Sequence, residues 1–256
     1  MTNASQRIVF ITGATSGIGA ACARAFAANG ARIVLTGRRA DLLSELAHEL
    51  APAAVYTATL DVRDRAAVDQ VVASLPPDFA AITHLVNNAG LALGTEPAPE
   101  ANAEEWETMI DTNIKGVVHC TRAILPGLVA RDDGHIVNIG SVAGTYPYPG
   151  GNVYGATKAF VHQFSLNLRA DLIGKKVRVT CVEPGMVESS FSTTRYHGDE
   201  AKAAAVYNGM TPMTPEDIAE AILFCVNRPP HVNVNSIEMM ATMQAFGPFA
   251  VYRTQR

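Results

Sequence analysis

Six short runs of apolar residues recur along the chain, and they are nearly continuous in hydrophobicity rather than alternating with polar positions. Continuous runs of this length, rich in β-branched residues, are typical of strands that are buried on both faces. A further short run at 236–240 is a candidate seventh strand. We therefore predict strands over 7–12, 31–36, 54–60, 83–87, 134–139 and 177–182.

Longer segments with apolar residues at helical spacing lie between these runs. Gly30 and Gly174 follow two of the segments, at the position where a left-handed residue ends many helices. Strands that alternate with helices predict an α/β fold, with one doubly wound parallel sheet of Rossmann type and helices on both faces. Such a sheet places ligands beyond the carboxyl ends of its strands. The predicted helices cover 18–29, 41–50, 65–75, 104–128 and 153–173.

No linker, repeat or low-complexity segment divides the chain, so a single domain is expected over 1–256. Within it, the polar stretch 189–213 is predicted as a substrate-loop region and 246–256 as an aromatic C-terminal tail. The net charge of −4 provides no global basic field for nucleic acid or an anionic membrane. The chain enters a strand almost at once and contains no run of about 18 apolar residues, so we expect a cytoplasmic protein. The four cysteines form no CxxC pair and are expected to be buried free thiols.

A glycine-rich turn follows the first predicted strand and opens the first predicted helix. Its GxxxGxG spacing lets the backbone approach a pyrophosphate, whose charge is met by N–H groups at the helix N-terminus. A three-glycine run alone could equally be a structural turn, and its place between strand and helix favours the nucleotide site. The candidate residues are Gly13, Thr15, Ser16, Gly17, Ile18 and Gly19.

The end of the second strand indicates which dinucleotide binds. An NAD site usually carries an acidic residue there, whereas this strand ends in Arg38 and Arg39. Two guanidinium groups suit the 2′-phosphate of NADP(H), although the two arginines could also be ordinary solvent-exposed side chains at a helix N-terminus. Cations oppose the helix dipole at that position, which favours NADP(H) as the cofactor. Asp61 and Val62, at the end of the third strand, are placed to line the adenine side.

Tyr154 and Lys158 are four residues apart on a predicted helix and so share one face. A lysine charge about 4 Å from the tyrosine is worth roughly 4 kcal/mol and would lower the tyrosine pKa by up to about three units. That shift would suit a general acid/base, but the pair alone could also be an ordinary surface contact. Ser141, across a Gly/Pro-rich loop, can hold a substrate oxygen, and Asn113 is a polar residue in an apolar helix that needs hydrogen-bond partners.

These elements, in this order and at this spacing, resemble the classical short-chain dehydrogenase/reductase family over essentially the whole chain. The resemblance rests on the glycine turn 12–19, on the NNAG run 87–90 and on the PG segment 183–187, together with four residues that match the family's catalytic tetrad. Those four are Asn113, Ser141, Tyr154 and Lys158.

The resemblance implies a role for each matched residue. Tyr154 would exchange the proton, Ser141 would position the carbonyl, and Lys158 would hold the nicotinamide ribose while lowering the tyrosine pKa. Asn113 would support a water relay from Lys158, and Arg38 would bind the 2′-phosphate together with Arg39. Cofactor contacts are also implied for Asn87, Ala89, Gly90, Pro184, Gly185, Val187 and Ser189, of which Ser189 replaces a threonine that many relatives carry.

The segments 146–154, 214–217 and 232–240 are similar to one branch of that family, the NADP-dependent 3-hydroxy acid dehydrogenases. This branch includes serine 3-dehydrogenase and malonic semialdehyde reductase, and the sulfoacetaldehyde reductases are close to it. The resemblance implies a short substrate with an anionic group, contacted by Ser141, Tyr154, Tyr148 and Arg195. A small anion needs a cation, and Arg195 is the candidate, although it could be an ordinary loop arginine. Arg253 in the tail could act across a subunit contact.

Other functions stay open at this point. A sulfoacetaldehyde reductase or a broad carbonyl reductase would use the same chemistry, and a non-catalytic NADP sensor would use the same fold. The resemblance implies a homotetramer, to which the apolar helices 104–128 and 153–173 and the tail aromatics Phe246, Phe249 and Tyr252 would contribute. No histidine lies in an HxxxH motif or near a carboxylate in a ligand-like pattern, so no metal site is expected.

Overall fold

The computed structural model describes residues 7–247, and the predicted tail residues Phe249, Tyr252 and Arg253 lie outside them. The strands are β1 (Ile8–Ile11), β2 (Arg32–Gly37), β3 (Val55–Thr59), β4 (His84–Asn87), β5 (Gly134–Ile139), β6 (Val177–Pro184) and β7 (Ser236–Met239). The helices are α1 (Gly17–Ala28), α2 (Ala40–Glu49), α3 (Arg65–Ala73), α4 (Pro77–Ala80), α5 (Ala103–Ile110), α6 (Gly116–Arg131), α7 (Asn152–Asp171), α8 (Ser190–Arg195), α9 (Glu200–Ala205) and α10 (Pro215–Val226).

The seven strands form one parallel sheet in the order β3-β2-β1-β4-β5-β6-β7. The strand order reverses between β1 and β4, and at this point the crevice above the carboxyl ends of the strands opens for a ligand. The predicted doubly wound Rossmann-type sheet is therefore confirmed, including the seventh strand.

Each face of the sheet carries its own apolar core. Successive side chains of a strand point to opposite faces, so Val9 and Ile11 pack under α1, α2 and α10. Ile8 and Phe10 pack against α3, α6 and the end of α7 on the other face. Because both faces are covered, β1 is buried along its whole length, which accounts for its continuous hydrophobicity. All four cysteines are buried and unpaired, as predicted.

The predicted helix 104–128 is wrong as a single element. A π-helical turn, Asp111–Lys115, separates α5 from α6 and contains the buried residues Thr112 and Asn113. π turns of this kind carry one extra residue and are frequent at functional sites. The insertion is invisible to hydrophobic spacing, because the apolar pattern continues on both sides of it.

Helix α10 was not among the predicted helices, although a local signal for it exists. Thr214 and Asp217 form a capping box: the Thr214 side chain accepts from the Asp217 backbone, and the Asp217 carboxylate accepts from the Thr214 N–H. Pro215 occupies the first turn, where its missing N–H costs nothing. In the region that the structure describes, no helix is both long and apolar enough to cross a membrane.

Candidate active site

The glycine turn joins the carboxyl end of β1 to α1. Gly13 and Gly17 have φ angles of +64° and +52°, a region that side chains disfavour. A methyl group at position 13 would lie 2.9 Å from the α-carbon of Ala89, so the turn also needs glycine for its close packing. The Ser16 side chain, at the N-cap, makes no capping hydrogen bond, which leaves the first-turn N–H groups of α1 available to an anion.

Asn88 braces this turn from the end of β4. Its side-chain amide donates to the carbonyl oxygens of Thr12 and Gly13 at 2.9 and 3.0 Å. The backbone N–H groups of Asn88 and Ala89 both donate to the Thr12 hydroxyl, at 3.0 and 2.9 Å. The NNAG run by itself predicts no role for Asn88, because these partners are more than 70 residues away along the chain.

Asn87, a predicted cofactor contact, points elsewhere. Its amide nitrogen donates to Thr121 Oγ1 at 3.0 Å and to Asn138 Oδ1 at 2.8 Å. Asn138 in turn donates to Ser165 Oγ at 2.8 Å. The Asn87 side chain therefore belongs to a buried polar network that joins the central strands β4 and β5 to α7. These hydrogen bonds occupy the amide nitrogen of Asn87, so the cofactor contact, which stays a prediction, falls to its backbone.

The end of β2 carries the two predicted phosphate-binding arginines, and both are exposed. Arg39 Nη2 donates to Thr15 Oγ1 at 2.8 Å and also lies 3.3 Å from Ser16 Oγ, so this guanidinium lies against the glycine turn. Asp61 accepts hydrogen bonds from both Nε and Nη2 of Arg63, and these hydrogen bonds hold the pKa of Asp61 below its usual range. Arg38 adds positive charge near the same carboxylate. Val62 is buried, and a methyl group at Gly116 would meet it.

Tyr154 and Lys158 lie on one face of α7, as predicted, and both are almost fully buried, with 8% and 6% of their surface exposed. Lys158 Nζ donates to the Ile139 carbonyl at 2.8 Å and lies 5.9 Å from the centroid of the Tyr154 ring. The Phe191 ring packs against Tyr154 with its centroid at 5.7 Å. The two groups are therefore held on the carboxyl side of β5.

The expected lowering of the tyrosine pKa is wrong in this structure. Burial raises the pKa of Tyr154 to about 12, and hydrogen bonding to Ser141 only partly opposes that effect. Burial also lowers the pKa of Lys158 to about 8. The sequence shows that the two residues share a helix face, but not that the site excludes water and penalises both charges.

Ser141, just after β5, and Asn113, in the π turn, both lie near Tyr154 and Lys158. Ser141 Oγ donates to the Pro184 carbonyl at 3.3 Å and accepts from the Ala143 N–H at 3.1 Å. Asn113 exchanges two hydrogen bonds with the Leu91 backbone, at 2.9 and 2.8 Å, and donates to Thr157 Oγ1 at 3.0 Å. The hydrogen-bond partners that this buried asparagine needs are therefore present.

Gly90 lies between the π turn and α7. A methyl group there would stand 3.2 Å from Asn113 Oδ1 and 3.5 Å from Lys158 Nζ. The four predicted catalytic residues and the NNAG segment are thus brought together from positions up to 71 residues apart in sequence, the separation between Asn87 and Lys158.

The PG segment leaves β6 and passes over this site. The Gly185 N–H donates to the Met239 carbonyl at 2.7 Å, and a side chain at this glycine would collide with Gln244. Gln244 Oε1 accepts from the Met186 N–H at 2.8 Å, a partner that sequence reasoning missed.

Beyond Met186, the PG segment is held at two further points. The Val187 carbonyl accepts from Tyr207 Oη at 2.8 Å. Ser189 caps α8, and its β-carbon would be 3.4 Å from a methyl group at Gly17. The segment therefore reaches back to the glycine turn.

Arg195, at the end of α8, lies directly beside the tyrosine. Its guanidinium carbon is 5.9 Å from the Tyr154 ring centroid and 5.4 Å from the Tyr148 ring centroid. Nη1 donates to Tyr148 Oη at 3.0 Å, and Nε donates to the Gly94 carbonyl at 3.2 Å. Within residues 7–247, no carboxylate forms an ion pair with this guanidinium. Its charge therefore lies near Tyr154 and is not neutralised by a carboxylate of the described residues.

One expectation about histidines is wrong. His162 Nδ1 lies 3.0 Å from the Glu183 carboxylate, which forms a His/carboxylate pair that the sequence does not reveal. The two residues are 21 positions apart and meet because α7 packs on β6. No spacing rule covers such a pair.

The short chain dehydrogenase family profile matches residues 7–200. The chain belongs to this family. The expected family and fold are confirmed, and with them the expectation that the protein is an oxidoreductase.

Relatives within the family are close over the full length. The chain is 56% identical over 248 residues to the NADP-dependent 3-hydroxy acid dehydrogenase YdfG of Salmonella typhi, covering 96% of this chain and 100% of that protein. It is 54% identical over 248 residues to sulfoacetaldehyde reductase 2 of Chromohalobacter salexigens, covering 96% and 98%. Among solved structures, the closed form of serine dehydrogenase complexed with NADP+ has a TM-score of 0.94 and 54% identity, covering 96% and 99%.

Proposed function

We propose that this short-chain dehydrogenase interconverts a short acidic 3-hydroxy compound and its carbonyl form, with NADP(H) as the hydride carrier. L-Serine and 3-hydroxypropionate represent the hydroxy form. The chemical class follows from the family and from relatives named NADP-dependent 3-hydroxy acid dehydrogenase. One observation supports an acidic substrate. The Arg195 guanidinium carbon lies 5.9 Å from the centroid of the Tyr154 ring and has no carboxylate ion-pair partner among the described residues.

The residues at the carboxyl edge of the sheet fit NADP(H). Uncapped N–H groups of α1, together with Thr15 and Ser16, would hold the pyrophosphate, because the turn presents donors to an anion. Arg38 and Arg39 would bind the 2′-phosphate, since both guanidinium groups are exposed beside the turn. The cofactor, when bound, supplies or accepts the hydride. We infer that Asp61, Ala89, Gly90, Val187 and Ser189 complete the cofactor site, with Gly13, Gly17, Ile18, Gly19, Val62, Pro184 and Gly185 as its close-packed walls.

Tyr154 is the proposed acid/base, and its environment supports the donor role. Because burial raises its pKa to about 12, the phenol holds its proton at neutral pH and can give it to a forming alkoxide. Ser141 Oγ lies on the same side of α7 and would hold the substrate oxygen. Lys158 and Asn113 would keep the proton donor in place and connect it to solvent.

Replacing the proposed anion-binding arginine tests the substrate class. In Arg195→Ala we expect kcat/KM for L-serine and 3-hydroxypropionate to fall by about 10- to 100-fold, the cost of losing a charge-assisted hydrogen bond. A neutral alcohol such as 1-propanol should keep its rate within about threefold, because it offers the arginine no charge. Arg195→Lys should recover part of the loss, and Arg65→Ala, on the exposed start of α3, serves as the matched surface control.

An equal loss with acidic and neutral substrates would contradict the anion-binding role while leaving the oxidoreductase chemistry intact. Absence of NADPH turnover with every aldehyde tested would instead favour the NADP-sensor alternative. The two failures are therefore distinguishable.

A sulfonate substrate is the second candidate. Two relatives, 54% and 51% identical, are named sulfoacetaldehyde reductases. A guanidinium binds a sulfonate by the same paired donors that bind a carboxylate. Initial rates with isethionate, L-serine, 3-hydroxypropionate and the neutral alcohol 1-propanol, each with NADP+ and NAD+, distinguish the two acidic substrate classes from each other and from a broad carbonyl reductase.

We also infer a homotetramer in the cytoplasm, with 189–213 as the substrate-loop region. α7 carries the stacked, partly buried pair Phe160 and Phe164, with ring centroids 5.6 Å apart, and Ile173 beyond its end is 78% exposed. Phe246 is 61% exposed and packs on Tyr146 at 4.5 Å. Light scattering of the full chain tests the assembly, and a monomer at micromolar concentration would contradict it.

A further inference from the structure

Three groups of different chemistry meet between α7 and β6, and none of them is assigned to the cofactor or the substrate above. The ring nitrogen of His162, the Cys181 sulfur and a carboxylate oxygen of Glu183 all lie within 4.8 Å of one another. Residues 181 and 183 alternate along β6 and so share the face that α7 covers. His162 is on the facing side of the helix, with Nδ1 3.0 Å from Glu183 Oε1.

The cluster is built into the fold rather than spread over the surface. Cys181 is fully buried and the Glu183 side chain is 4% exposed, while the His162 side chain is 34% exposed and opens the cluster to solvent on one side. A methyl group at Gly140 would lie 2.9 Å from both Cys181 Sγ and Glu183 Cγ. Glycine at that position therefore lets the two side chains lie close over the strand.

The charge of the cluster favours a cation. Within residues 7–247, His162 lies within hydrogen-bond distance of Glu183, and neither a lysine nor an arginine lies within ion-pair distance of that carboxylate. Glu238 is aligned with Glu183 on the neighbouring strand β7 and adds a second carboxylate, to which Tyr146 Oη donates at 3.1 Å. A buried carboxylate is costly to hold without a cationic partner.

We propose that His162, Cys181 and Glu183 bind a zinc-class divalent cation, with water as the fourth ligand. Imidazole, thiolate and carboxylate are the ligands that Zn²⁺ prefers, whereas Mg²⁺ and Ca²⁺ prefer oxygen ligands alone. In a tetrahedron with bonds of about 2.0–2.3 Å, donor atoms stand roughly 3.3–3.6 Å apart, so the three groups need to shift by only about 1 Å. The thiol releases its proton to the buffer as the metal–sulfur bond forms.

Direct metal binding tests this site without using turnover, so the result does not depend on the proposed function. The full-length, untagged chain, stripped with a chelator, is titrated with Co²⁺ and separately with Zn²⁺ against a chromophoric chelator. We expect one equivalent per chain, a thiolate-to-cobalt charge-transfer band in the near ultraviolet, and a higher Tm with Zn²⁺ but not with Mg²⁺.

Two variants and two matched controls assign the ligands. Cys181→Ser should abolish the charge-transfer band, whereas Cys120→Ser, at another fully buried cysteine, should keep it. His162→Ala should weaken Zn²⁺ binding at least about tenfold, whereas His119→Ala, at another half-buried histidine, should not.

A missing band, or Zn²⁺ affinity that is unchanged in His162→Ala, would overturn the proposal. If Cys181→Ser does not fold, His162→Ala decides the question, because its side chain already reaches solvent. Its fold can be checked by thermal unfolding in the absence of metal.

Discussion

Two buried histidines at the amino edge of the sheet make the fold sensitive to acid. His84 and His135 are paired in register on β4 and β5, with ring centroids 6.2 Å apart. Burial lowers the pKa of His84 to about 3, and the nearby Arg7 and Arg178 add to the effect. Burial likewise holds the pKa of His135 well below its ordinary value. Both rings are therefore neutral in the folded protein near neutral pH.

The size of the stability loss follows from the difference in proton binding between the unfolded and the folded protein. An unfolded histidine takes up a proton below a pKa of about 6.5, whereas the folded His84 does not until the pH approaches 3. Stability is thus unaffected above about pH 6.5 and falls with decreasing pH by roughly 1.4 kcal/mol per unit for each such group. Between about pH 7 and pH 5, His84 alone should cost about 2 kcal/mol, a large share of a typical folding free energy.

Urea unfolding at pH 7 and pH 5, followed by fluorescence of the single tryptophan, Trp106, measures this loss. In His84→Gln the loss between the two pH values should be about 2 kcal/mol smaller than in the parent, because glutamine does not titrate. His231→Gln, at an exposed histidine, should change nothing. Equal losses in the parent and in His84→Gln, at one protein concentration, would refute the reasoning.

Three substitutions test the active site. Tyr154→Phe should lower kcat by about 10²- to 10⁴-fold, with NADPH affinity measured by fluorescence nearly unchanged, because only the proton donor is lost; retained turnover would contradict its role. Arg38→Ala should raise KM for NADP+ about tenfold or more and leave KM for NAD+ unchanged, since the 2′-phosphate is absent from NAD+; equal increases would argue against it. Asn88→Ala should raise KM for both cofactors together and lower stability by about 1–3 kcal/mol, because it unbraces the glycine turn.

The four catalytic residues show how much of the site could be predicted from the sequence. Tyr154 and Lys158 were predictable as a pair, because helical spacing alone places them on one face. Ser141 and Asn113 were predictable by resemblance, and the structure brings both to that face. The π turn around Asn113 was not predictable, since one inserted residue leaves the apolar pattern unchanged on either side. The direction of the Asn87 side chain was not predictable either, because its motif shows which residue is present and not which way the side chain points.

By itself, the sequence determined the strands, the helices α1, α2, α3 and α7, the parallel arrangement, the glycine turn and the likeness to short-chain dehydrogenases, because these depend on local spacing and on order along the chain. Only the tertiary structure decided the electrostatics of Tyr154, whose pKa rises because the surrounding chain excludes water. Packing of α7 on β6 likewise brought His162 to Glu183. Burial and contact between distant segments depend on the whole fold, and no window of the sequence contains them.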